Sequence, residues 1–123
     1  MVDAERGGSS LGDAIDDSAD VAVAAVTVAE LKVGVRLAKG GQRAKRERFV
    51  AAILEAVSVE PYDLDVAEAH AALLAHVRQT GTPRGAHDLI IAATARARAR
   101  HVVSSDQSGF LDLPEVSVLG GDD

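Results

Sequence analysis

Three acids carry the chemistry that this sequence can offer: Glu30, Asp88 and Asp106. Glu30 follows the apolar run 21–26 (VAVAAV) and falls in the first turn of the helix expected after it. Asp88 falls in the first turn of a helix expected over 86–98, and Asp106 two residues beyond a strand expected over 101–104. In open parallel sheets ligands collect beyond the carboxyl ends of the strands, so all three acids are expected at one edge. Carboxylates gathered there repel one another and resist ionisation unless a cation neutralises them. With no cysteine, and with no paired-histidine pattern, the oxygen donors select Mg²⁺ or Mn²⁺ over zinc. A cation of this kind polarises a phosphate and lowers the pKa of an attacking water, which is the chemistry of phosphodiester hydrolysis.

Each acid also has a plainer reading. Thr27-Val28-Ala29-Glu30 has the spacing of a capping box, with Glu30 bonding back to the Thr27 amide. Asp88 suits a helix N-terminus for macrodipole reasons alone, and Asp106 in SSDQSG suits a turn. His70, His76, His87 and His101 do not stand at i, i+4 spacing. His87 adjoins Asp88 and can touch the site, although exposed or capping roles suit the histidines equally. Ser104 and Ser105 have no triad context, and the Gly-Gly pairs do not match a phosphate-binding loop.

The elements that must position these acids follow from the pattern of apolar residues. The run 21–26 has the length and continuity of a strand covered on both faces. Thr27 is placed to cap a helix with Val28, Leu31, Val35 and Ala38 inward, ending at Gly40-Gly41. A second helix over 43–56 is expected to bury Phe49, Ala52, Ile53 and Ala56, with a short strand over 57–59 before Pro61. Asp63 or Asp65 can start a third, burying Ala69, Ala72, Leu73 and Val77 until Gly81 stops it. After the turn GTPRG a fourth, over 86–98, carries Leu89, Ile90, Ala93 and Ala97, followed by strands over 101–104 and 116–119. A short helical stretch is expected near 10–16. Alternating strands and helices predict an α/β fold, a small parallel sheet flanked by helices.

At 123 residues the chain has the size of a single domain, 1–123, and its aromatic content of 2% leaves the core to Ala, Val, Leu and Ile. The absence of cysteine suits a reducing cytoplasmic setting. No apolar run reaches the roughly 20 residues needed to span a bilayer. The net charge of −6 argues against a protein that coats nucleic acid. The average conceals a division, because residues 32–48 hold seven of the 13 basic residues against Glu47 alone. Such a segment could form a basic rim beside an acidic pocket, or simply solvated helix faces.

Three stretches, AAVTVAELKVGV (24–35), GTPRGAHDLIIAATA (81–95) and HVVSSDQSGFLDLPEVSVL (101–119), resemble PIN-domain nucleases, especially the VapC toxins of bacterial toxin–antitoxin pairs. They occur in the family's order. The resemblance implies that Glu30, Asp88 and Asp106 bind Mg²⁺ or Mn²⁺ and support RNA cleavage. It also implies a homodimer and a VapB-like antitoxin as partner. Gly109 departs from the pattern, since a further acid often precedes the Phe at that turn. The family's first central strand, ending in an Asp, has no match here. Only Asp3 lies nearby, and MVDAERGG looks like the end of the helix after that strand. The resemblance thus implies an N-terminally truncated PIN-like domain, with Met1 an internal start and a strand carrying an Asp encoded upstream.

The leading expectation is a Mg²⁺-dependent endoribonuclease toxin, with RNA approaching across segment 32–48 and Arg96 and Arg100 offering either a second phosphate contact or a solvated face. The alternative is a non-catalytic PIN-like module that binds an antitoxin or dimerises through its helices. An unrelated receiver-like α/β domain ranks last, for want of a phospho-acceptor context.

Overall fold

The computed structural model describes residues 21–104 and 107–120. The order of elements is β1 (Ala22–Ala24), α1 (Ala25–Leu37), α2 (Gly41–Ala56), β2 (Ser58–Glu60), α3 (Leu64–Thr80), α4 (Ala86–Ala97), β3 (His101–Ser104), a 3-10 turn (Gln107–Gly109) and β4 (Ser117–Gly120). The α/β class expected from the sequence is therefore what forms. The strands pair in parallel as β1 with β2 and β3 with β4, in register Val23 to Val59 and Val102 to Val118. Among the described residues these are two separate two-stranded sheets.

Side chains alternate across a strand, and the packing follows that period. Ala22, Ala24 and Val102 join one apolar cluster with Val66, Leu73 and Val77 of α3, Leu89 and Ile91 of α4, and Phe110. Val21 and Val23 join a second cluster with Ile53 and Val57, against which Val28, Leu31 and Val103 pack. Helices thus cover both faces of β1, α3 and α4 on one side and α1 and α2 on the other. Small residues make this possible. From Asp88 to Ala95 every residue of α4 except Ile90 is buried, and the alanines let neighbouring backbones come close.

Several expectations are corrected by this packing. The strand over 21–26 is shorter because α1 begins at Ala25, with Ala24 at the cap position and no side-chain cap. Thr27 consequently lies inside α1, 1% exposed, and caps nothing. Phe49 is 51% exposed and Ala52 and Ala56 are exposed too, so of the four only Ile53 is buried as expected, and Val50 joins it. Ala72 is also exposed, while Ala69, Leu73 and Val77 are buried as expected. The helix expected near 10–16 lies outside the described residues.

Asp63 caps α3 by accepting a hydrogen bond from the Val66 amide (3.1 Å), and Gly81 ends that helix in the left-handed region at φ 66°. Arg98, just past α4, donates to Asp63 Oδ2 (2.7 Å) and lies 3.5 Å from Glu60, while Arg100 donates to Glu60 (3.1 Å). The end of α4 is thereby tied to the junction of β2 and α3. The Val66 amide, followed by Arg98, holds the Asp63 carboxyl below its ordinary value of 3.8. A carboxylate with a lowered folded-state pKa stabilises the fold above the unfolded value and loses that contribution as pH falls through the folded one. Asp63→Ala is therefore expected to lower the melting temperature at pH 7, by a margin that shrinks and disappears as the pH is taken progressively below 3.8. Calorimetry at several pH values checks this, and a margin that stays constant into strong acid would show that the carboxylate's charge is irrelevant.

Candidate acidic site

Asp88 is the third residue of α4, after Gly85 at the cap position, where no side chain caps the helix. Its position gives it the free amides of the first turn and the positive end of the helix dipole. The side chain is 2% exposed. It is enclosed by glycine on two sides. A β-carbon built at Gly85 would stand 3.6 Å from Asp88 Oδ2, whereas one at Gly109 would overlap Oδ2 and stand 2.9 Å from Cγ.

Glu30 comes from the opposite layer. Because α1 starts at Ala25, Glu30 sits in the helix's second turn rather than its first, and Thr27 is no cap, so the capping-box reading fails. Its carboxylate instead accepts a hydrogen bond from His87 Nδ1 at 2.7 Å. That contact fixes the tautomer, since Nδ1 must carry the proton it donates. His87 directly precedes Asp88, so the structure ties Glu30 to the first turn of α4, the turn to which Asp88 also belongs. The sequence singled out His87 only for its adjacency to Asp88. Its partner, distant in the chain, could not be read from spacing.

Asp106 lies outside the described residues. The turn after it is held by Phe110, fully buried, whose amide donates to the Gln107 carbonyl (2.9 Å). Gly109 therefore reaches Asp88 from a fixed scaffold, which gives a physical reason for its departure from the expected acid: a side chain there would contest the space of Asp88. Among the described residues no group of three or more His, Asp or Glu side chains is close enough to hold a metal. Glu30 and Asp88 provide two hard-oxygen donors without sulfur, a donor set that fits Mg²⁺ or Mn²⁺.

Arg84 escaped the sequence reading, which took GTPRG only as turn chemistry. Its guanidinium donates to the carbonyls of Thr82 (2.6 Å) and Leu111 (2.9 Å), joining the loop before α4 to the one beyond the 3-10 turn. Arg96 and Arg100 are engaged internally, Arg96 with Glu115 (2.7 Å) and Arg100 with Glu60. Arg100 also lies beyond the end of α4, so the two do not share a helix face. The basic residues of segment 32–48, by contrast, are all exposed on α1, α2 and their connection. No helix among the described residues is long and apolar enough to cross a membrane.

A family model described as the PIN domain matches residues 1–116. Among curated proteins, the VapC ribonuclease Y4jK of Sinorhizobium fredii is 36% identical over 92 residues, or 72% of this chain, which spans 66% of that relative's length. Among solved structures, VapBC-5 from Mycobacterium tuberculosis, of the VapBC family of toxin–antitoxin systems, superposes with a TM-score of 0.73 at 32% identity, covering 81% of each chain. DNA-bound VapBC from Salmonella typhimurium reaches a TM-score of 0.84 over 98% of this chain and 96% of its own, and at 20% identity this similarity is one of fold.

The close approach of Gly109 to Asp88 yields a measurable coupling. Gly109→Ala is expected to cost about 1–3 kcal/mol of stability as an overpacked site. In an Asp88→Ala background the same change is expected to cost clearly less, since the colliding atoms are gone. Denaturant titrations of the four proteins in this cycle check the expectation, and strictly additive losses would exclude the contact.

Proposed function

The chain belongs to the PIN-domain family, and on that premise we propose that it is a metal-dependent endoribonuclease toxin of a toxin–antitoxin pair. The observation that supports this most directly is the meeting of Glu30 with the first turn of α4, where Asp88 lies buried. Asp88 belongs to that turn, and Glu30, from another layer of the fold, is tied to it through His87. The relatives support the toxin reading, since one is a VapC ribonuclease, another the toxin FitB of Neisseria gonorrhoeae, and a similar structure belongs to the VapBC family of toxin–antitoxin systems.

Glu30 and Asp88 would hold Mg²⁺ or Mn²⁺, and Asp106 enters as a third ligand on the strength of the family resemblance. The cation would supply charge at the scissile phosphate and a more acidic attacking water. The chain's own residues do the positioning. His87 holds the Glu30 carboxylate at the first turn of α4 through its Nδ1 contact of 2.7 Å. Asp88 stands in the first turn of α4, at the positive end of the helix dipole, where a negative charge is favoured electrostatically. The glycine at 109 leaves room for no side chain against that carboxylate, whereas a β-carbon at Gly85 would only touch it at 3.6 Å. The exposed cations of α1 and α2 would draw the RNA backbone by charge, without reading its sequence.

A VapB-like antitoxin would restrain this activity, and a homodimer would be the working form in the cytosol. Replacing Asp88 by Asn keeps the shape of the side chain and removes its charge. Mg²⁺-dependent cleavage of RNA by the full chain is expected to fall by more than the roughly 10–100-fold that loss of an outer-sphere partner brings, with the circular dichroism spectrum unchanged. Full activity in Asp88→Asn would remove the metal reading. A folded parent chain that neither cleaves RNA nor takes up Mn²⁺ would favour a non-catalytic module that only binds its partner.

A further inference from the structure

The stripe of α1 that carries Glu30 continues into a cavity that the acids do not explain. Thr27, Glu30, Leu31 and Gly34 recur at i, i+3, i+4 and i+7, so they share one helix face. Opposite them stand Arg46, Phe49 and Val50 of α2, and the space between is about 330 Å³. That volume lies at the lower end of the ~300–1,000 Å³ typical of ligand sites.

Three of these side chains are poorly explained by folding alone. Thr27 is 1% exposed, yet its Oγ1 has no hydrogen-bond partner. A buried hydroxyl left unsatisfied is costly and uncommon, so a partner arriving with a ligand accounts for its retention. Arg46 extends across α1 at Gly34, where a β-carbon would stand 3.1 Å from Nη1. Its neighbour Arg43 pairs with Glu47, whereas Arg46 forms no ion pair among the described residues. Phe49 holds its ring at the same rim, half in solvent, although burying it would have stabilised the fold.

A guanidinium, an aromatic face and a hydroxyl around an apolar hollow form the donor set for one unit of single-stranded nucleic acid. The guanidinium matches a phosphate, the ring a stacked base, and the hydroxyl a ribose 2′-OH. Charge decides between this occupant and a protein segment. Lys32 and Arg36, with the Arg43–Glu47 pair, line a neighbouring cavity of about 310 Å³ between the same two helices, so two cations without an ion-pair partner among the described residues extend the surface along the path of a polyanion.

We propose that the cavity between α1 and α2 is a nucleotide subsite for single-stranded RNA, in which Arg46 holds a phosphate, Phe49 stacks a base and Thr27 senses the 2′-hydroxyl. The proposal rests on the ribonuclease reading, because Glu30 forms part of the cavity wall and would place the bound nucleotide beside the acids.

The test uses the full chain carrying Asp88→Asn, so that the probe is not cut, and measures fluorescence anisotropy with a labelled single-stranded oligoribonucleotide and its deoxy counterpart. Phe49→Ala is expected to weaken both probes on the order of 10-fold. Arg46→Ala is expected to weaken both and to flatten the salt dependence, more than Arg48→Ala, a control outside the cavity lining. Thr27→Val is expected to bring RNA down towards the affinity for DNA, leave DNA unchanged and keep the melting temperature at or above that of the parent. The proposal is overturned if the three variants bind RNA as the parent does, or if Thr27→Val weakens both probes equally. It is also overturned if they lose only the binding of a protein partner. Mg²⁺-dependent cleavage by the wild-type chain is read separately. Cleavage by the wild type together with unaffected binding in the variants would discard the subsite and leave the ribonuclease standing. Loss of binding in the variants, with no cleavage by the wild type, would keep the subsite and discard the ribonuclease.

Discussion

A carboxylate enclosed in the interior sets the terms for everything around it. Asp88 is 2% exposed, and removing an ionised group from water costs on the order of several kcal/mol unless charge or donors replace the lost hydration. The first turn of α4 offers part of that replacement, through backbone amides with no partner inside the helix and the positive end of its dipole. The helix can provide this only if it is itself held in place. That is the work of the apolar clusters, which bury α4 almost entirely between α3 and β1. Moving the helix outward would expose Leu89 and Ile91 and rehydrate Asp88 together, so the stability of the core and the state of the acid are linked.

Composition makes such a position attainable. With almost no aromatic residues, the core is assembled from alanine and branched aliphatic side chains, and α4 contributes Ala92, Ala93 and Ala95 at full burial. Small side chains let helix and strand backbones approach closely, and the two glycines at 85 and 109 extend the same principle to the acid. Large residues at these places would hold the walls apart and admit water around the carboxylate. A site built from a buried charge therefore asks for an alanine-rich frame.

Much of the frame was legible because its signals are local. The cap at Asp63, the left-handed stop at Gly81 and the strand His101–Ser104 each follow from a few neighbouring residues, and the structure keeps them all. The failures share the opposite property. Thr27 and Glu30 have the spacing of a capping box, yet β1 ends early and Thr27 is carried into the helix, so tertiary packing overrides a local pattern. The face of α2 was misjudged at Phe49, Ala52 and Ala56 because charges occupy most of the helix, and packing against Val21 and Val23 selects Ile53. The hydrogen bond between His87 and Glu30 joins two elements far apart in sequence, and no spacing rule encodes it. Adjacency to Asp88 was the single available hint.

The arginines divide by the same logic of place. Those near the end of α4 are spent on the fold, Arg98 on Asp63 and Glu60, Arg100 on Glu60, and Arg96 on Glu115. Arg84 is spent on carbonyls that lock two loops together. Arg96, Arg98 and Arg100 each have a carboxylate partner nearby, which offsets their charge in the field felt by an approaching anion, whereas the carbonyls hold Arg84 in place without cancelling its charge. On α1 and α2 the basic residues stand in solvent, and only Arg43 has its partner within the same helix. Net charge therefore misleads for this chain: the total is negative, but among the described residues exposed cations without an ion-pair partner crowd one pair of helices. For the proposed RNA substrate, a field of that shape would draw the polyanion towards α1 and α2, the helix pair that carries Glu30, which an even scatter of the same charges could not do.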